Sequence, residues 1–231
     1  MVYGIDFIPP LSDPPPYFPP SGNPEIVYVD EFLFVVVKPS GLLAVPGRGA
    51  DKQDCMISRL QQQFNDALVV HRLDMATSGL MVFARGAQVQ KILSLMFQEH
   101  TVLKTYIAVV SGKLLIDEGE INLPIAADWV NRPRHKIDHQ SGKPSLTRYS
   151  VLEYDSFANT SVVRLIPVSG RTHQLRLHLA AIGHPILGDS LYGVASSATR
   201  LMLHAFSLEF AHPISGQVLN FTNPALSEIS S

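Results

Sequence analysis

The segment His71-Arg72-Leu73-Asp74 places an imidazole, a guanidinium and a carboxylate within four residues, between two apolar runs. The small, polar Ala76-Thr77-Ser78-Gly79 follows and returns the chain to the second of those runs. An ionised aspartate beside a core must be paired or hydrogen-bonded, so Asp74 is either structural or chemical. In such a turn it can be a nucleophile, a general base, a metal ligand or a simple cap. A second constellation is Ser169-Gly170-Arg171-Thr172-His173-Gln174-Leu175-Arg176-Leu177-His178, where a strand runs through a glycine turn into a helical pattern. Arg171 would stand at that helix start, where a cation opposes the macrodipole and calls for a negative partner, Asp74 or a phosphate. His173 and His178 are five apart, about 140° around a helix, which does not suit a shared metal. Arg176 and His178 read as partly packed polar residues. A third feature is Tyr106 in the strand-like Lys104-Thr105-Tyr106-Ile107-Ala108, whose ring can serve a core or a cleft.

Other chemistries lack their signatures. There is no phosphate-binding glycine loop, CxxC or HExxH pattern, and the nine histidines show no zinc-finger spacing. The single cysteine, Cys55, cannot form an intramolecular disulfide and fits a reducing compartment. No apolar run is long enough to span a bilayer and no signal peptide is visible, so a cytoplasmic location is expected. The formal net charge of −2 hides an asymmetry. Residues 1–31 hold five acids and no Lys or Arg, leaving 18 basic against 15 acidic residues in the rest. Residues 128–148 carry Arg132, Arg134, Lys136, Lys143 and Arg148 against Asp128 and Asp138, a modest footprint for phosphate.

The elements that must position these residues follow from periodicity. Residues 1–24 are proline-rich, should be extended, and form an acidic extension to a domain over 25–231. Their acids would repel phosphate, so they are expected to pack away from any phosphate-binding face. Strands are expected at 25–29, 32–37, 68–71, 80–84, 104–111, 120–124, 145–153, 160–168, 201–210 and 217–222. Helices are expected at 55–64 with Asp54 as cap, at 88–100, and at 172–181. Residues 128–148 begin with a basic loop. So many adjacent strands exclude a doubly wound fold and predict an α+β domain on a mixed, largely antiparallel sheet.

These motifs together resemble the RluA-type pseudouridine synthases. The chain carries His71-Arg72-Leu73-Asp74-x-x-Thr77-Ser78-Gly79, Lys38-Pro39-Ser40-Gly41, Lys104-x-Tyr106-x-Ala108, Gly142-Lys143-Pro144-Ser145-x-Thr147 and Gly170-Arg171-x-His173-Gln174-Leu175-Arg176. It also carries His184-Pro185-Ile186-Leu187-Gly188-Asp189-x-x-Tyr192-Gly193 and Leu203-His204-Ala205, all in the family's order over about residues 26–222. Met75-Ala76 at the variable pair and the loop Asp128-Trp129-x-Asn131-Arg132-Pro133 are most similar to the short, dual-specificity branch acting on 23S rRNA and a tRNA anticodon stem-loop. That branch lacks the N-terminal S4-like domain of many relatives, and none is visible here.

The resemblance implies the pseudouridine synthase fold and a cofactor-free, metal-free isomerase, expected to be monomeric, whose partner is rRNA or a tRNA stem-loop. Asp74 would be the catalytic carboxylate, attacking C1′ or assisting removal of the 2′ proton, with Arg171 its partner. Tyr106 would contact the target base and assist at C5. Arg72 would fill the gap left by a flipped nucleotide, whose unstacking costs a few kcal/mol. His71, Arg132, Arg134, Lys136, Lys143 and Arg176 complete the set expected to face RNA. Two competing readings are a non-catalytic RNA-binding or chaperone domain on the same fold, and a metal-dependent hydrolase using the histidines and Asp189. The first leaves Asp74, Tyr106 and Arg171 unexplained as a set, and the second lacks ligand spacing.

Overall fold

The computed structural model of the chain describes residues 16–224. Its strands are β1 Glu25–Val29, β2 Leu33–Lys38, β3 Ala67–Val69, β4 Ser78–Arg85, β5 Leu103–Ser111, β6 Glu118–Asn122, β7 Ile125–Ala127, β8 His135–Ile137, β9 Leu146–Asp155, β10 Thr160–Pro167, β11 Leu203–Ala211 and β12 Val218–Thr222. The α-helices are α1 Met56–Gln61, α2 Ala87–Gln98 and α3 Gln174–Ala181. One sheet runs β1-β2-β4-β11-β5-β10-β9-β6, with β3 also on β4 and β12 also on β11. All its pairings are antiparallel except β4 with β11, where Ser78 and Gly79 lie opposite His204 and Ala205. The sheet is therefore mixed and largely antiparallel, as the strand-rich pattern predicts.

The two apolar runs around Asp74 acquire their meaning from packing. Along β4, Met81 and Phe83 join Phe34, Val36, Met56 and Leu60 on the α1 face. Leu80 and Val82 join Leu33, Val35, Val89 and Leu93 on the α2 face. A strand covered on both faces reads as a continuous apolar run rather than an alternation. A third cluster, including Ile107, Val163, Leu165, Leu175 and Leu179, packs α3 against β5 and β10. Gly79, at φ +112°, permits the parallel contact: a Cβ there would stand 2.4 Å from the Ala205 carbonyl oxygen.

Several expectations are corrected. Helix α1 starts after Cys55, whose N–H donates to Ser58 Oγ, while Asp54 instead pairs with Arg59 at 2.7 Å. The basic loop contains a hairpin, β7 with β8, too short for periodicity to reveal. Helix α3 begins at Gln174, two residues later than expected, behind His173 in the left-handed region at φ +56°. A turn at 172–173, closed by Gln174 N–H donating to the Arg171 carbonyl at 3.1 Å, precedes the helix, and Arg171 has no place in it. Of the proline-rich stretch, residues 1–15 lie outside the described residues. The rest lies against α1 and the loop before it: Tyr17 Oη donates to the Asp54 carbonyl and accepts from Leu43 N–H, and Arg59 donates to the carbonyls of Pro20 and Gly22. Among the described residues no helix is long and apolar enough to cross a membrane.

Candidate active site

The Asp74 turn is held from behind by the loop that ends β2. Lys38 is fully buried, and its ammonium donates to the carbonyls of Pro39 (2.8 Å), Leu42 (2.7 Å) and Met75 (3.0 Å). Ser40 Oγ donates to the Ala76 carbonyl at 2.7 Å, and Gly41 N–H to that of Met75 at 2.9 Å. Burial pushes the Lys38 pKa down to about 7, against the favourable charge of Asp74. Three acceptors around one nitrogen match three N–H donors; a neutral amine would turn its lone pair on one carbonyl. The Lys38-Pro39-Ser40-Gly41 motif therefore fixes the backbone immediately after Asp74.

No backbone N–H donates to the Asp74 carboxylate among the described residues, which sets the capping alternative aside. Its Oδ2 instead accepts from Arg176 Nη1 at 3.3 Å and lies 3.8 Å from His173 Nε2. Arg176 is the third residue of α3, almost fully buried, and its other donors are aimed by Asp189: Nε at 2.8 Å and Nη2 at 2.7 Å. Asp189 is also buried and accepts from the N–H groups of Leu191 and Tyr192. Hydrogen bonds from Arg176 and those N–H groups outweigh burial and hold the Asp189 carboxyl below its ordinary range. The planar fork, gripped on one edge by Asp189, leaves Nη1 for Asp74.

His173 completes this wall. Tyr192 Oη accepts from His135 N–H at 2.7 Å and lies 2.9 Å from His173 Nδ1. Burial raises the Tyr192 pKa to about 12, so the phenol keeps its proton. His173 Nε2 is the nitrogen that faces Asp74. Burial holds His173 neutral, with a pKa near 4.

Around the carboxylate lies a cavity of about 430 Å3, lined among others by Asp74, Tyr106, Arg72, Lys104, Arg171 and Leu203. That is ample for a nucleoside. Tyr106 pairs with Ala205 on one side and Leu165 on the other, so its ring stands over the sheet beside Asp74. Burial, then the Asp74 charge, raises its pKa far above the ordinary phenol value. Arg72 is exposed on the cavity wall and has no hydrogen-bond partner among the described residues.

Three sequence-predicted roles change. Arg171 is exposed, its Nε 3.4 Å from the Pro144 carbonyl, and the cation against Asp74 is Arg176. Arg176, placed among the RNA-facing residues, is enclosed by two carboxylates and unavailable to phosphate. His71 stacks on Phe97 at 4.2 Å and accepts from Val82 N–H at 3.0 Å. Burial, with Lys104 nearby, takes its pKa down to about 3, so it brings no charge to RNA. Arg132, Arg134, Lys136 and Lys143 lie on or beside the β7–β8 hairpin, and none of them lines the Asp74 cavity. Lys38, His173, Asp189 and Tyr192 were visible as motif members, but only contact reveals their work. Among the described residues no group of three or more His, Cys, Asp or Glu side chains could hold a metal ion.

The neutral histidines predict acid lability. An unfolded histidine takes up its proton near pH 6.5, whereas His71 and His173 resist to about 3 and 4. Their contribution is complete above 6.5 and is lost as pH falls through this window. At pH 5 each removes about 2 kcal/mol relative to pH 8. Thermal unfolding should show a steeper drop between pH 7.5 and 5 for the native protein than for His71→Gln. Equal slopes would refute the assignment.

A mixed sheet carrying an aspartate just before its parallel seam, faced by a guanidinium and a partly buried tyrosine across a nucleoside-sized cavity, defines an enzyme active site. The chain belongs to the RNA pseudouridylate synthase family, whose profile matches residues 32–181. Over 204 residues, it is 48% identical to the dual-specificity RNA pseudouridine synthase RluA of Vibrio vulnificus, covering 85% of this chain and 82% of that one. It is 46% identical to the RluA of Pasteurella multocida over 214 residues, 90% of this chain and 96% of the relative. Among solved structures, human RNA pseudouridylate synthase domain containing 1 superposes with a TM-score of 0.75 at 31% identity, covering 90% of this chain and 86% of that one.

Proposed function

We propose that this chain isomerises chosen uridines to pseudouridine in two RNAs, a 23S rRNA segment and a tRNA anticodon stem-loop. The observation that carries the reading is the Asp74 carboxylate, presented to a nucleoside-sized cavity by Arg176 at 3.3 Å. The dual specificity is supported by relatives of that description aligned over most of both chains. The reaction breaks the N1–C1′ bond, turns the base, joins C5 to C1′, removes the C5 proton and leaves a proton on N1. Atoms and electrons balance within the nucleotide, so the chemistry requires no redox partner.

Asp74 either attacks C1′ or accepts the 2′ proton, and both routes use the one carboxylate that Arg176 and His173 aim. Tyr106 lies against the target base. Its phenol is held protonated, so it acts first as a wall and hydrogen-bonding group, and the departing C5 proton needs an acceptor at that stage. Arg72, exposed and without a protein partner, stacks into the gap the flipped nucleotide leaves. Arg132, Arg134, Lys136, Lys143 and Arg171 meet phosphates and flanking bases. The catalytic unit is 25–231, acting as a monomer without metal in the cytoplasm.

The test uses transcripts of the rRNA segment and of the anticodon stem-loop carrying tritium at C5 of uridine. Tritium should be released to water from both, with pseudouridine mapped to one position in each. Release from one transcript alone would refute dual specificity, and release from neither would refute the activity.

A further inference from the structure

Residues 16–24, the described part of the proline-rich extension, run over one loop, 39–44, between β2 and α1. Tyr17 Oη accepts from Leu43 N–H at 3.0 Å and donates to the Asp54 carbonyl at 2.9 Å. Burial raises the Tyr17 pKa above the ordinary phenol value, so the hydroxyl keeps the proton it gives to Asp54. Arg59, paired with Asp54, donates to the carbonyls of Pro20 at 2.7 Å and Gly22 at 2.9 Å. Pro20 lies over Gly41, its Cδ 3.6 Å from where a Cβ on that glycine would stand. The ordinary reading of such a segment is a terminal arm that adds stability wherever it is tied down.

The place where it is tied opposes that reading. Loop 39–44 is the one that holds the Asp74 turn. The Leu42 carbonyl receives the Lys38 ammonium, and the same ammonium donates to the Met75 carbonyl. Gly41 N–H donates to that carbonyl too, and Ser40 Oγ to the Ala76 carbonyl. The Leu43 peptide groups are gripped from opposite sides: Tyr17 takes the N–H, and Met56 N–H at 2.8 Å takes the carbonyl. Leu42 and Ala44, on either side, are packed into the α1 cluster.

From Leu43, therefore, two hydrogen-bonded steps reach the residue after Asp74: Leu42 to Lys38, and Lys38 to Met75. None of residues 16–24 lines the Asp74 cavity. The arm touches no bound nucleotide and can act on the reaction only through the loop. Four of its nine residues are proline, which restricts the backbone, so the arm is stiff and loses little conformational entropy when it docks.

We infer that residues 16–24 brace the catalytic turn and that Tyr17 is a positioning residue, whose hydroxyl fixes loop 39–44 and, through Lys38 and Gly41, the backbone that presents Asp74. This rests on the proposal that Asp74 reacts with a uridine nucleotide, and adds that part of its aim comes from outside the sheet.

The test is Tyr17→Phe in the full chain, which removes the hydroxyl and keeps the ring. At 25 °C, where both proteins are folded, kcat for tritium release from the stem-loop should fall about fivefold with KM unchanged. A shift of a fraction of an ångström suffices, since a 1 Å misplacement of a reacting group costs about a hundredfold. Amide exchange at Gly41, whose N–H is bonded to the Met75 carbonyl, should quicken about tenfold, while the amides of β5 exchange as in the native protein. An arm that only stabilises would lower the melting temperature and leave both kcat and Gly41 exchange where they are. Either readout unchanged would overturn the brace. A native protein that releases no tritium refutes the activity, and Gly41 exchange then decides the brace by itself.

Discussion

Asp74→Asn should reduce pseudouridine formation by at least about four orders of magnitude, the scale seen when an enzyme loses the group that reacts with its substrate. Asparagine has the same shape, and Asp74 is only partly buried, with a side chain 26% exposed, so the fold and RNA affinity should survive. The variant keeps an oxygen for Arg176 to meet and loses the charge that attacks C1′ or takes the 2′ proton. Single-turnover tritium release with native-like binding of the stem-loop would establish this. Activity within tenfold of native would return Asp74 to a structural role and favour the non-catalytic RNA-binding reading.

Removing Arg176 should damage stability and rate together. Its side chain bridges two carboxylates, one of them fully buried, and Arg176→Ala would strand the Asp189 charge in the interior. Losing one partner of a buried pair costs about 3–5 kcal/mol, which in a chain of this size lowers the melting temperature by about 6–20 °C. Arg176→Lys cannot reproduce a fork that makes two bonds to Asp189 and a third to Asp74. Asp189→Asn separates the effects: it keeps the cation but loosens its aim, so kcat should fall about a hundredfold with KM little changed. Arg171→Ala, at an exposed cavity rim, should leave kcat intact and weaken RNA binding a few-fold. Should Arg171→Ala instead abolish kcat while Arg176→Ala melts like the native protein and retains turnover, the pairing described here is wrong.

Local pattern carried a good deal of this protein. Alternation and apolar runs located ten of the strands, because those segments face packed layers whose spacing the chain must match. The run at 80–84 was legible as buried since both sides of β4 are covered, by α1 and α2. The His71-Arg72-Leu73-Asp74 motif and its companions gave the family and the central carboxylate. The three-residue strands β7 and β8 escaped, because one period of alternation is no signal, whereas β3, equally short, was legible from its apolar run.

Which groups surround Asp74 was decided in three dimensions. Arg171 and Arg176 are equally basic and five residues apart, and the choice depends on where α3 begins. His173 in the left-handed region delays the helix, leaving Arg171 in an exposed turn and turning Arg176 toward a carboxylate 102 residues earlier. Asp189, from yet another loop, then fixes the direction of that guanidinium. Sequence determined that a carboxylate, a tyrosine and several arginines would be present, since their types and neighbours are local properties. Only the tertiary structure decided which charges meet, because burial leaves one arrangement in which each buried charge finds its partner.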